Sequence, residues 1–454
     1  MEKLLCLVPP VLTLIIALKS KNIIAALFTG ILSCSIVANG QNFLTPILGQ
    51  YMTQAVGGNL DIFIMLFIFG GMMVVIKSGG GFYAFTRFAE ARIRTARGAK
   101  FVTWLLALVL GDQAMSTIGV GSVMRPITDK YKVPREKLGF ILSSTGPAMC
   151  AILPWTIFIL FYSGMIQSVN PELNGVQEYM KLIPFNFYAF LSILAALLSA
   201  LEIIPDFGYM KKCEERARVT GELIRPGSQP IAGGMEDMGA PAGVKPDIVS
   251  FLLPFGVAIG SVILLYVQTG QIVLTTSFLL GLLAVIVYGV LKKYFRVGDV
   301  SGMLFEGGIN MVPVIIILTM ALTFGKAVTD IGFAEFIVEV SEGLINPKVL
   351  PALTFLVCGI CAFATGSLTS GLTILAPICI VLAGSMGANL TLTLAACLGG
   401  AMFGDQTSPL SDMVVEPSMG AGVDVVDLAK AHFPVKAGVA AATCLIYLVM
   451  GFVL

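Results

Sequence analysis

Charge is what this 454-residue chain has least of. Only 12% of its residues are Asp, Glu, Lys or Arg, about half the share usual in a soluble protein, and that excludes a soluble globular enzyme. Histidine occurs once. An HExxH motif, a Walker loop and a paired Ser/His are all missing, so an enzyme embedded in the membrane finds no support either. A disulfide framework is lacking as well. Eight of the nine cysteines lie in apolar spans and Cys213 lies in a polar stretch; Cys358 and Cys361 have CxxC spacing without a second pair, which reads as packing. The balance of 28 basic against 27 acidic residues gives no sign of a nucleic-acid partner.

What is plentiful is apolar. Hydrophobic residues make up 57% of the chain, in long runs such as Leu182 to Leu201 and Ile248 to Val267 that lack the strict alternation of a membrane β-barrel strand. Such segments fall at about 4–18, 22–38, 61–77, 100–126, 138–162, 181–203, 248–268, 272–291, 311–328, 349–378, 389–412 and 433–454. The first is not expected to be a cleaved signal, because Lys19-Ser20-Lys21-Asn22 follows it where small residues would stand. The expectation is an all-α polytopic protein with the lipid bilayer as its first partner. One long polar stretch, 205–246, reads as a helical tail followed by a flexible linker.

That linker separates two similar halves, expected at 1–204 and 247–454. A shift of 251 positions superimposes Gly30 on Gly281, Gly81-Phe82 on Gly332-Phe333, Thr103 on Thr354, Ser116 on Ser367, Pro126-Ile127 on Pro377-Ile378 and Thr156 on Thr407. Internal repeats of this kind are the architecture of secondary transporters. Segment 100–126 decides their relative orientation. Its centre is Gly111-Asp112-Gln113-Ala114-Met115-Ser116-Thr117, and a crossing there would put the basic stretch from Arg87 to Lys100 opposite Lys130, Lys132, Arg135 and Lys137. A re-entrant hairpin keeps both on one side. Each half then has about five crossings plus a hairpin, so the repeats are inverted, with 24 basic residues inside and 4 outside.

Backbone left unpaired at membrane depth is tolerated where it lines a polar cavity or binds a ligand. Four breaks stand out, two per half: hairpin tips at 111–122 and 365–371, and discontinuous spans at Leu153-Pro154-Trp155-Thr156 and Gly404 to Asp412. Their convergence near the midplane predicts a cavity lined by Ser116, Thr117, Pro154, Thr156, Thr365, Gly366, Ser367, Thr369, Ser370, Thr407 and Ser411. Hydroxyls and freed carbonyls are hard oxygen ligands suited to Na+, with Thr365, Ser367 and Asp405 as the expected ligands. Asp405, Ser408 and Asp412 recur at i, i+3 and i+7, one face of a continuous helix. With Asp112 they are the ion- and proton-binding candidates, because a carboxylate that holds a cation or a proton but not both is the least that cation/proton exchange requires.

Blander readings stand beside these. Asp405 and Asp412 would also serve as caps, though intramembrane acids are costly and usually functional. Asp112 suits a turn, and its counterpart in the second half is Phe363. Glu416 reads as structural, Thr103 and Thr354 as packing positions, His432 as an interfacial residue, and the stretch from Arg87 to Lys100 as a helix on anionic headgroups.

Several strings together resemble the NhaC family of bacterial sodium/proton antiporters: GDQTSPLSD from Gly404 to Asp412, the later AGVD ending at Asp424, MRPITDKY from Met124 to Tyr131, and Ala364-Thr365-Gly366-Ser367. Order, spacing and length match over nearly the whole chain. The resemblance implies an elevator-type, inverted-repeat fold in the bacterial plasma membrane, with sodium bound at the hairpins and broken helices and no further cofactor. A homodimer would supply the fixed scaffold. Family members commonly carry an acidic pair with an aromatic and Asn near Asp112, and a Trp where this chain has Leu368-Thr369. The family also includes carriers of amino acids or carboxylates, so sodium-coupled transport of a small organic solute is the alternative.

Overall fold

The computed structural model describes residues 5–6, 8–20, 23–57, 60–81, 84, 93–109, 113, 115–154, 156–169, 172–230, 247–269, 274–332, 346–409 and 411–454. Among these residues there is no strand. The longer helices are α1 (Val8–Ser20), α2 (Ile23–Asn39), α3 (Leu60–Ser78), α4 (Ala96–Val109), α5 (Val120–Lys130), α6 (Arg135–Cys150), α7 (Ile157–Val169), α8 (Gly175–Leu182), α9 (Phe187–Ala200), α10 (Gly208–Val219), α11 (Val249–Thr269), α12 (Leu274–Leu291), α13 (Val297–Asp330), α14 (Leu350–Thr365), α15 (Leu368–Met386), α16 (Leu390–Thr407), α17 (Asp412–Ala421) and α18 (Val425–Val453).

Among the described residues, length and apolarity alone qualify four helices as membrane spans, at residues 24–42, 274–291, 368–386 and 425–453; the pair Gly175–Phe185 and Phe187–Ala200, bent by 46°, makes a fifth. Other apolar helices, such as Ile157–Val169 and Leu350–Thr365, are shorter than a crossing because they stop at the breaks. The 251-residue shift carries over to the helices. Moved by that amount, α2 falls on 274–290, against Leu274–Leu291 for α12, and α6 falls on 386–401, against Leu390–Thr407 for α16.

The two sequence halves interleave in space. Helix α3 packs against α12 and α13, and α2 against α13, so the opening helices of both halves form one group. The later helices form another, in which α14 packs on α15, α16 and α18, α9 on α6, and α17 on α5 and α6. Absent side chains let these helices approach closely. A Cβ at Gly400 would stand 2.2 Å from the Phe355 carbonyl oxygen, and one at Gly404 would stand 2.1 Å from that of Gly359, so α14 and α16 meet backbone to backbone through small residues. In the first group, a Cβ at Gly70 would lie 2.3 Å from the Gly307 oxygen.

The polar stretch begins as expected with a helix, α10. It is clamped to the second group: the Arg216 guanidinium donates to both oxygens of the fully buried Glu136 at 2.9 Å, and Arg225 donates to Asp427 at 3.0 and 3.1 Å. Residues 231–246 of the expected linker lie outside the described residues.

Candidate functional site

The second hairpin turns in two residues. Helix α14 ends at Thr365, Gly366 takes a left-handed conformation (φ 67°) that glycine adopts without a Cβ clash, and Ser367 caps α15 by accepting from the Ser370 amide at 3.3 Å. The first hairpin joins α4 to α5 through Gln113 and a π turn, Met115–Gly119. Both discontinuous spans break where the sequence places them. Helix α6 ends at Cys150 and α7 begins at Ile157, while α16 ends at Thr407 and α17 begins at Asp412.

All four breaks meet at one cavity of about 160 Å³. It is lined by Gln113 from the first hairpin, Ile157, Phe158 and Phe161 from α7, Ser367, Leu368 and Thr369 from the second hairpin, and Asp405, Asp412 and Met413 from the second broken span. Asp405 is 2% exposed. Its carboxylate accepts the Leu368 amide at 2.8 Å, the freed N-terminus of α15, and also accepts the Ser411 hydroxyl. Asp412 is exposed and accepts its neighbour Met413's amide at 2.9 Å and the Gln113 side chain at 3.3 Å. Gln113 also donates to Glu416 at 3.2 Å, and Thr117 donates to the same carboxylate at 3.1 Å. One carboxylate is therefore enclosed and the other opens outward.

The expected single helical face for Asp405, Ser408 and Asp412 does not exist. The helix ends at Thr407, and Ser408 is extended (φ −74°, ψ 125°); the two acids reach the cavity from opposite sides of that break. Ser408 is buried and is not among the cavity-lining residues. Several expected cavity hydroxyls are bound instead to local backbone: Ser116 to the Gln113 carbonyl, Thr156 to Cys150 and Leu153, Thr365 to Cys361, and Thr407 to Phe403; Thr117 is shared between the Gln113 carbonyl and Glu416. Ser370 is buried beneath the tip, Ser411 lies against Asp405, and Pro154 and Gly366 shape the breaks without lining the cavity. Asp112 and Trp155 lie outside the described residues.

His432 is not interfacial. It is fully buried, with Nδ1 3.4 Å from the Ser143 hydroxyl and no hydrogen-bond partner at Nε2, because α18 starts well before the apolar run and carries residue 432 inside. Lys436, one of the 24 cations expected at the inner side, is also buried. It donates to the Gln406 carbonyl at 2.9 Å and to Ser143 at 3.0 Å. Gln406 in turn accepts from Tyr188 at 3.2 Å and Ser192 at 3.4 Å. The signal for Lys436 was present in the sequence as an ionisable residue within an apolar span; Gln113 gave none.

With this geometry in hand, the comparisons decide the family. A model of the Na+/H+ antiporter family matches residues 172–452, well over half of the chain. The chain belongs to the Na+/H+ antiporter family. It is similar to an uncharacterized protein of Haemophilus influenzae, 26% identical over 98% of this chain and 90% of that one. It is also similar to the malate-2H(+)/Na(+)-lactate antiporter of Bacillus subtilis, 27% identical over 40% of this chain and 38% of that protein. Among solved structures, the Alcanivorax borkumensis YdaH transporter, described as having an unusual topology, superimposes with a TM-score of 0.60 at 13% identity, covering 89% of this chain and 88% of that one. Neisseria gonorrhoeae MtrF, of a class of antimetabolite efflux pumps, does so at 0.63 and 15% identity, covering 95% and 94%. The fold class read from the sequence therefore holds: an all-α polytopic membrane protein with discontinuous helices, and a secondary transporter, not an enzyme.

Proposed function

We propose that this antiporter-family protein exchanges Na+ for H+ in a bacterial plasma membrane, and that Asp405 and Asp412 hold the two ions in turn. One observation carries the reading: elements of all four breaks line a cavity of about 160 Å³ whose lining, among the described residues, has two carboxylates and no basic side chain. Its size also favours an ion and its waters, since drug-sized ligands occupy roughly 300 to 1,000 Å³. Asp405 and Ser367 would supply hard oxygens to Na+, and Thr365, whose hydroxyl is already bonded to Cys361, would contribute a main-chain oxygen. Asp112 remains a third candidate acid. Lys436 donates to the carbonyl next to Asp405. In this proposal the repeats 1–204 and 247–454 each give their hairpin to a moving unit and their first helices to a scaffold. The test is sodium-driven proton flux in proteoliposomes. Flux that survives Asp405→Asn with unchanged pH dependence sinks the reading.

Sodium-coupled exchange of a small carboxylate is the second reading. The N-termini of α15 and α17 border the cavity, a setting that suits an anion, and the Bacillus relative is an antiporter of malate and lactate. Thermal unfolding separates the two readings, because a bound ligand raises stability by mass action. A shift with Na+ alone supports ion exchange; a shift that needs Na+ with lactate or malate supports the second.

A further inference from the structure

Three thiols that the transport site does not use meet inside the second helix group. Cys358 of α14, Cys379 of α15 and Cys397 of α16 are 1%, 5% and 0% exposed, and their sulfur atoms all lie within 4.8 Å of one another. The Cys358 thiol donates to the Cys397 sulfur at 3.5 Å, and the Cys379 thiol lies 3.9 Å from the Thr354 hydroxyl. Cys361, the CxxC partner of Cys358, is not part of the group. The cluster is tertiary: residues 358, 379 and 397 show no motif spacing.

We propose that Cys358, Cys379 and Cys397 form a binding site for a thiophilic divalent d10 cation of the Zn2+ type, with the Thr354 hydroxyl as the fourth donor. Geometry is the first argument. Zn–S bonds of about 2.3 Å in a tetrahedron set sulfur atoms about 3.8 Å apart, so the three thiols need to move by less than about an ångström to close on one ion. Thr354 stands one turn before Cys358 on α14 and therefore faces the same side. Charge is the second argument. A divalent cation that displaces the protons of all three thiols leaves a single net negative charge, far less than three bare thiolates would place in an apolar interior, where uncompensated charge is costly. Softness is the third, because thiolates select this class of ion over Na+. The site is separate from the cavity: Cys397 precedes Asp405 by eight residues, about 12 Å along α16. An ion there would tie both arms of the second hairpin to the helix that carries Asp405.

The test is titration of the purified full-length protein with Cd2+ in a thiol-free reducing buffer, read by ultraviolet thiolate-to-metal charge-transfer absorption. One equivalent per chain is expected, lost in Cys358→Ser, Cys379→Ser and Cys397→Ser and kept in Cys150→Ser. Absence of the band, or its persistence in all three variants, overturns the proposal. Should those variants fail to fold, cadmium X-ray absorption on the unmodified protein decides the matter: three sulfur neighbours support the site, and one or none refutes it.

Discussion

Asp405 combines two roles that the sequence presents as alternatives. It caps the N-terminus of α15 from another segment through the Leu368 amide, and it is the enclosed acid of the cavity. Asp405→Asn keeps one acceptor oxygen, so its stability cost is expected to be about 1 kcal/mol. Its Na+-dependent proton flux is expected to fall to background, which proteoliposome assays with a matched thermal-unfolding control will read. Asp412 is exposed and lines the open side of the cavity. Asp412→Asn is therefore expected to retain exchange but to raise half-saturating Na+ roughly tenfold, the equivalent of about 1.4 kcal/mol. An unchanged Na+ dependence would remove Asp412 from the site. These acids were legible as scarce charges at helix breaks. Gln113 gave no signal, because its significance lies in its contact with α17; Lys436 was visible as an ionisable residue in an apolar span but was not singled out.

Helix contacts here depend on missing side chains. Gly404→Leu places its first carbon 2.1 Å from the Gly359 oxygen, which forces α14 and α16 apart. Overpacking of this kind costs about 1 to 3 kcal/mol or more and is expected to lower the melting temperature and yield in detergent, whereas the same change at Gly384, where nothing stands within 4 Å, is expected to be tolerated. At the start of α18, Asp424 accepts the amides of Val426, Asp427 and Gln229. Burial raises its carboxyl, but those amides and nearby Arg225 outweigh it and hold the group below the ordinary Asp range. A depressed pKa means the contribution is present above the unfolded value of about 3.9 and is lost as pH falls through the folded one. The stability gap between the wild type and Asp424→Asn is thus expected at neutral pH and is expected to close in acid, as thermal melts across pH will record. The breaks themselves were readable from glycine, proline and hydroxyl clusters. The break from Gly404 to Asp412 was among them, but its two acids were still placed on one helix face, because their spacing equally fits one.

At the scale of the whole molecule, α10 ties the middle of the chain to both halves, through Arg216 on Glu136 of α6 and Tyr209 on Asp427 of α18. Arg216→Ala leaves the fully buried Glu136 carboxylate without its partner, a loss of about 3 to 5 kcal/mol. A drop in melting temperature is expected, only partly restored by Arg216→Lys, since one ammonium lacks the planar fork; an unchanged melt would mean that the clamp is dispensable. By itself the sequence determined the class of the molecule and its four breaks, because these follow from local chemistry: apolar length and backbone that needs partners at membrane depth. Only the tertiary structure decided that the first helices of both halves pack together, that the two acids face one cavity from opposite sides of a break, and that three distant cysteines share one interior. Those are long-range contacts, set by which faces and which glycines fit against each other across hundreds of residues, and no periodicity along the chain encodes them.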